Sequence, residues 1–262
     1  PPPPGWRVLT SGDVVIRAGA VRAAADSLGR DPGADLIYAD EDVLGPDGVR
    51  RDPWFKPDWT PEPAFGGQDM VGGGFVLVRE AALAAAGPLQ PGLEALDLAL
   101  GLSPDRIRHI PTILAHRRAP HDTTGLSDLA ARHAQAPAVA APGSGFRIAW
   151  PIPDPAPPVT VIVPTRDRAD LLSRCADGVL RHTAYGPLDL LIVDNGSVEP
   201  QTHALFDRLR SDPRVEILPA PGPFNYSALN NQAARRARGD ILVLLNNDIE
   251  ITSPGWLGEL VA

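Results

Sequence analysis

Three short polar clusters in this sequence combine residue types able to hold a phosphorylated ligand. Asn246-Asn247-Asp248 follows the apolar run DILVLL, so Asn246 and Asp248 offer two oxygen ligands, two positions apart, to Mg2+ or Mn2+ and through it to a diphosphate. Asp194-Asn195-Gly196-Ser197 closes the run LDLLIVD with a carboxylate that can accept hydrogen bonds from a uracil or thymine ring, and with a glycine that lets backbone approach a ligand. Pro164-Thr165-Arg166-Asp167 closes VTVIVP and opens a helical stretch, where free backbone N–H groups can meet an anion. Taken singly, each cluster also reads as a turn or a helix cap, since Asn, Asp and Thr favour both.

What would bring the three together is the order of elements. VTVIVP is a β-branched run suited to a strand buried on both faces, and LDLLIVD, RVEIL and DILVLL read as the strands that follow it. Between them lie helical stretches over residues 167–181, around 201–210 and around 227–237. Strands alternating with helices at this spacing predict a doubly wound, mostly parallel α/β sheet, whose ligands bind outside the carboxyl ends of the strands. All three clusters fall at such ends. The first half is less regular: a helix over 18–28, a strand DLIYAD, a proline-rich irregular stretch over 46–63, a strand GFVLVR and a helix over 80–86. Residues 134–158 are rich in Ala and Pro, lack either apolar period, and read as a linker.

A net charge of −8 and a pI near 5.2 exclude a chain whose main business is the nucleic-acid backbone. The single cysteine, Cys175, excludes an internal disulfide, and the histidines lack the spacing of structural zinc, which points to a reducing, cytoplasmic setting. No apolar run approaches the roughly 20 residues that span a bilayer. Met70 is the sole methionine, and the reading is of a fragment.

VLTSGDVVI (residues 8–16) aligns with VLLNNDIEI (residues 243–251), placing Asp13 and Asp248 235 positions apart, about one α/β enzyme domain. A chance match of two strands followed by Asp stands beside an internal repeat as the explanation.

In their order, the strand ends with P-T-x-x-R, D-N-G-S and N-N-D resemble family 2 glycosyltransferases. NYSALNNQAARRARGDILVLLNNDIEITSPGWL resembles the stretch through the metal motif of bacterial enzymes that build rhamnose-containing O-antigen and cell-wall polysaccharides. LIYADED, RRDPWFKPDWTPE, GGGFVLVREAALAAAGPL and RIRHIPTILAHRR resemble the segments that follow that motif. The resemblance implies a GT-A (Rossmann-like) fold. Residues 1–133 would be the back, acceptor-side half of a first domain, 134–158 a linker, and 159–262 the nucleotide-sugar-binding front half of a second. It also implies inverting transfer from a UDP- or dTDP-sugar to a glycan or lipid-linked glycan, at the cytoplasmic face of a membrane held through parts outside this chain. Donor binding would fall to Pro164, Thr165, Arg166, Asp194, Asn195, Gly196, Ser197 and Asn230, and Mg2+ or Mn2+ to Asn246 and Asp248. The second copy's base would lie beyond Ala262.

Departures from the family pattern fall in the first half. Its metal motif reads Thr10-Ser11-Gly12-Asp13, with one carboxylate, and the segment that usually carries the catalytic base reads LEALDLAL, leaving Glu94 and Asp97 as candidates. Solvated helix charges are the alternative for that pair. The cluster Asp40-Glu41-Asp42 reads either as facing a sugar or as a solvated loop. Three functional readings remain open: a tandem enzyme with a weakened first copy, two halves docked as one permuted domain, and a sugar-nucleotide-binding or scaffolding module without activity.

Overall fold

A computed structural model describes residues 1–119, 121–141 and 145–262, which form two compact units, Pro1–Trp150 and Pro151–Ala262.

The N-terminal unit runs β1 (Trp6–Leu9), β2 (Val14–Ile16), α1 (Ala20–Arg30), β3 (Leu36–Leu44), β4 (Arg50–Trp54), α2 (Glu62–Phe65), β5 (Val76–Arg79), α3 (Glu80–Ala86), α4 (Glu94–Gly101), β6 (Ile107–Arg117), α5 (Leu126–Ala134), β7 (Ala138–Ala140) and β8 (Phe146–Ile148). Its mixed sheet has the order β1-β5-β3-β6-β2, with β4 on β3. Only β3 and β6 pair in parallel; the other pairings in this sheet are antiparallel. Alternation along the strands sends Leu36, Tyr38, Val76 and Val78 to a core with Leu96 and Leu129, and Ile37, Ala39 and Leu77 to one with Trp6, Ala20 and Ala24.

Two expectations change here. The proline-rich stretch contains β4, which tolerates Pro53 because it pairs on one side only, with β3. The stretch expected as a linker contains the antiparallel hairpin β7–β8, whose Ile148 buries against Ala130 and Phe65, and the unit closes at Trp150. Short strands of alanine and single large residues carry no period that composition would reveal.

The C-terminal unit follows β9 (Val159–Thr165), α6 (Ala169–Arg181), β10 (Leu188–Asp194), α7 (Pro200–Leu209), β11 (Val215–Pro219), α8 (Tyr226–Ala234), β12 (Ile241–Leu244) and α9 (Trp256–Val261). Its four strands are parallel, in the order β11-β10-β9-β12, the α/β, Rossmann-like arrangement expected of a GT-A front half. Val159, Val161 and Val163 face α6, α7 and α9 through Leu172, Cys175, Phe206 and Leu257, while Ile162, Leu191 and Val193 face α8 through Leu229 and Ala233. Helices on both faces explain why the central strands β9 and β10 are apolar at successive positions; β12, at one edge of the sheet, leaves Leu242 and Leu244 exposed.

Advancing β1 (Trp6–Leu9) by the 235 positions that separate Asp13 from Asp248 lands on β12 (Ile241–Leu244), and α1 and α9 begin 236 positions apart, at Ala20 and Trp256. The match stops there: β2 (Val14–Ile16) advances onto residues 249–251, which are not a strand, and β1 pairs antiparallel where β12 pairs parallel.

Candidate functional site

Parallel pairing aligns the carboxyl ends of β9, β10 and β12, and the polar residues beyond them are stitched together. Leu245 N donates to Ile162 O at 2.9 Å and Asn195 N to Thr165 O at 2.9 Å, carrying the ladder past each strand end. Asn247 Nδ2 donates to Thr165 Oγ1 at 2.9 Å, tying the N-N-D segment to β9. Ser197 N donates to Asp194 Oδ1 at 2.8 Å, and Ser197 Oγ accepts from Asp167 N at 2.8 Å. Asp167 in turn accepts from the N–H groups of Val198 and Glu199, both at 2.8 Å; these bonds, that from Glu199 first, hold its carboxyl below the usual carboxylate range. Asp167 and Arg168 carry positive φ of 55° and 56°, a left-handed pair of non-glycine residues in the turn from β9 into α6.

The side chains divide by direction. Pro164, Thr165, Asn195 and Ser197 are buried, and Asn195 Nδ2 donates to Ala220 O (2.9 Å) and Gly222 O (3.3 Å), fixing the loop after β11. Gly196, at φ 81°, lies against Pro221; a Cβ there would meet Pro221 Cα and Cβ at 3.7 Å. Arg166, Asn246 and Asp248 are exposed, and Asp194 is half-buried. The side chains of Asn246 and Asp248 make no hydrogen bond or ion pair with another described residue. Between them Asn247 turns inward, so the three residues alternate out, in, out.

Asn230 does not join this rim. It is buried in α8, and its amide donates to Tyr226 O at 2.9 Å within the same helix. Cys175 lies directly beneath the N-N-D segment, its Sγ 3.5 Å from Asn246 O; burial, with the Asp248 charge adding to it, pushes its thiol up to about 11. Sequence reasoning missed Asn247 and Asp167 as positioning residues. A polar residue between two ligand-type residues signalled the first, and the helix-cap reading of the Pro164–Asp167 cluster signalled the second.

Two oxygen donors suit an ion held mainly by phosphate oxygens and water, as Mg2+ usually is. Among the described residues no group of three or more His, Cys, Asp or Glu could enclose a metal by itself.

In the N-terminal unit the carboxylates are mostly consumed. Asp97 accepts from Gln90 N (2.7 Å), His133 Nε2 (2.7 Å) and Arg132 Nη2 (2.9 Å). Burial raises its pKa, but these partners outweigh it and the carboxyl sits below its ordinary value. Asp97 is therefore neither a solvated charge nor a free base: its lone pairs are occupied. Glu94 is half-buried and lines a cavity with Thr10, Ser11, Gly72 and Gly73. Asp40, Glu41 and Asp42 are 2%, 0% and 3% exposed within β3, so they face neither a sugar nor solvent. Asp40 meets His109 and Lys56 N, Asp42 meets His116 and Arg50, and Glu41 meets Lys56 Nζ (3.0 Å) and Arg117 (2.6 Å). Desolvation of fully buried Lys56 lowers its pKa, with Glu41 opposing the shift.

Residues 160–262 match the family model for glycosyl transferase family 2, and this part of the chain belongs to that family. Similarity to individual proteins runs further. The O-antigen biosynthesis protein RfbC of Myxococcus xanthus is 38% identical over 253 residues, covering 88% of this chain and 20% of the relative. Protein y4gI of Sinorhizobium fredii is 35% identical over 261 residues, covering 88% of this chain and 28% of its own length. The chain thus spans between a fifth and a third of these relatives. Among solved structures, the mannosyltransferase PcManGT from Pyrobaculum calidifontis, in complex with GDP-Man and Mn2+, is 28% identical over 38% of this chain and 30% of its own, with a TM-score of 0.35. Among the described residues no helix is long and apolar enough to cross a membrane.

Proposed function

We propose that the C-terminal unit is the nucleotide-sugar-binding half of an inverting glycosyltransferase of polysaccharide assembly, acting at the cytoplasmic face of a membrane. The N-terminal unit is read as the acceptor-side half of a preceding copy whose metal motif has lapsed. The observation that carries the reading is the exposure of Asn246 and Asp248, with half-buried Asp194, on one stitched rim of strand ends within the span that matches the family.

Each residue then has a task. Asp194 Oδ1 is engaged by Ser197 N, which orients the carboxylate so that Oδ2 accepts an N–H from the base of a UDP- or dTDP-sugar. Asn246 and Asp248 would hold Mg2+ or Mn2+, which would supply charge stabilisation for the departing diphosphate. Arg166 stands exposed at the turn into α6, where a guanidinium and the helix N-terminus favour the same anion. An acceptor hydroxyl, once deprotonated, attacks the anomeric carbon from the face opposite the diphosphate.

Calorimetric titration of UDP and dTDP with Mn2+ into the full chain and into Asp248→Ala tests this. Metal-dependent binding by the parent chain, lost in the variant, is expected. Equal, negligible binding by both would remove the donor-site reading.

A further inference from the structure

A cavity of about 390 Å3 lies in the N-terminal unit between α3, the second half of α4 and the end of α5. We infer that it binds a small organic molecule with an apolar body and a single carboxylate, independently of the site in the C-terminal unit. The strand register sets its place. Leu9, at the end of β1, pairs with Val76, whereas Asp35, which lines the cavity, precedes the Leu36–Val78 pair at the other end of β3 and β5. The cavity is therefore at the opposite end of the sheet from the Thr10-Ser11-Gly12-Asp13 segment. Its volume falls in the range of small-molecule sites, about 300–1,000 Å3.

The polar lining has acceptors already satisfied and a donor that is not. Asp35 accepts from two guanidiniums, Arg79 Nε at 2.7 Å and Arg106 Nε at 2.8 Å. Asp97 accepts from Gln90 N, His133 Nε2 and Arg132. Arg132 spends two of its five N–H groups on Asp97, at 3.2 and 2.9 Å, and no other described residue engages it. Its side chain is 52% exposed and lines the cavity, so the outer edge of the fork is left for a ligand. A carboxylate matches that edge, since it can accept two parallel N–H bonds. A phosphate monoester would bring a charge of about −1.5 to −2 at pH 7 toward Asp35 and Asp97, which favours the monoanion. A cationic ligand would have to displace Arg132 from Asp97.

The remaining walls ask for an apolar body. α3 contributes Ala82 and Ala85, α4 contributes Leu98 and Leu102, and Leu89 stands between the two helices. Leu98 is 2% exposed and belongs to the core, which Leu89 and Leu102 also pack against, so this wall is a fixed surface of the unit. Short side chains on α3 leave the space open, and Ala85 is exposed, so a larger residue there would fill the cavity rather than disturb the core. A polyhydroxylated ligand is disfavoured, because both lining carboxylates are already occupied and its buried hydroxyls would find few acceptors.

Saturation-transfer NMR titrations of the full chain with octanoate, octanol, octylamine and octyl phosphate test the inference. Octanoate should bind about tenfold more tightly than octanol, the worth of a charge-assisted hydrogen bond, and octylamine should not bind. Arg132→Gln should weaken octanoate by about the same factor, with Arg132→Lys, which keeps the charge and loses the fork, falling between. Ala85→Phe should abolish binding by filling the space, and it serves alone if the Arg132 variants melt early. The inference is overturned if octanoate does not bind at millimolar concentration, if octanol or octylamine binds as tightly, or if Ala85→Phe binds like the parent. Tighter binding of octyl phosphate than of octanoate would overturn the choice of a monocarboxylate.

Discussion

Asn247 offers a quantitative separation between positioning a ligand and being one. Its Nδ2 donates to Thr165 Oγ1 at 2.9 Å, a neutral bond between half-buried and buried partners, while its neighbours Asn246 and Asp248 face outward. Removing such a bond costs about 1 kcal/mol, which appears in nucleotide affinity only as far as binding must re-order the freed segment. Asn247→Ala should therefore weaken Mn2+-dependent UDP binding by about fivefold at most. Asp248→Ala removes the sole carboxylate of the motif and should cost about fiftyfold or more, by the scale of bonds to charged groups. Thr165→Val removes the acceptor while preserving shape, so it should resemble Asn247→Ala, and the double variant should be no worse than either single one, a coupling of about 1 kcal/mol. Calorimetric titration of the parent and these four variants measures this. If Asn247→Ala loses as much as Asp248→Ala, Asn247 is itself a ligand; if the Thr165 and Asn247 effects add, the stitched rim does not position the site.

Asp97 anchors α4 to α5 through Arg132 and His133, so Asp97→Asn should destabilise the N-terminal unit by about 2 kcal/mol and lower its melting point by about 4–8 °C at pH 7. Its folded pKa is depressed, so the stabilisation is present above the unfolded value, near 4, and is lost as pH falls through the folded one. Calorimetric scans should show parent and variant converging below about pH 4, and a constant difference would contradict the assignment. Cys175, with its thiol raised to about 11 by burial and by Asp248, should resist a disulfide reagent at pH 7.5 until the C-terminal unit unfolds. Rapid labelling of the native chain would show that the N-N-D segment does not lie closed over it.

β9 and β10 were legible because burial on both faces leaves a signature no loop shares: VTVIVP and LDLLIVD have almost nowhere to place a polar side chain. Asp194 could be located from its run alone, since the strand must stop where the polar residues begin. The carboxylates of β3 were not legible. Three consecutive acidic residues read as solvated, yet each is buried against a cation or an imidazole, and most of those partners come from β6, some seventy residues away. Such pairing is invisible until the register of β3 on β6 is known. The same holds for Asp97, whose partners Arg132 and His133 sit on another helix.

The 235-residue offset separates what a strand needs from what a site needs. β1 and β12 lie 235 positions apart and share the V-L pair, yet β1 is held antiparallel by β5 and β12 parallel by β9. An apolar strand end serves either neighbour, because the ladder uses backbone groups common to all residues. The chemistry resides in the next few positions, where Leu245-Asn246-Asn247-Asp248 corresponds to Thr10-Ser11-Gly12-Asp13. Replacing two amides by a hydroxyl and a glycine leaves the strand intact and removes one of two outward oxygen ligands together with the inward tether that Asn247 makes to Thr165. In the N-terminal unit Ser11 N instead donates to Gly73 O at 2.8 Å. A strand end and the polar residues that follow it can thus change independently, because the ladder itself asks nothing of the side chains beyond it.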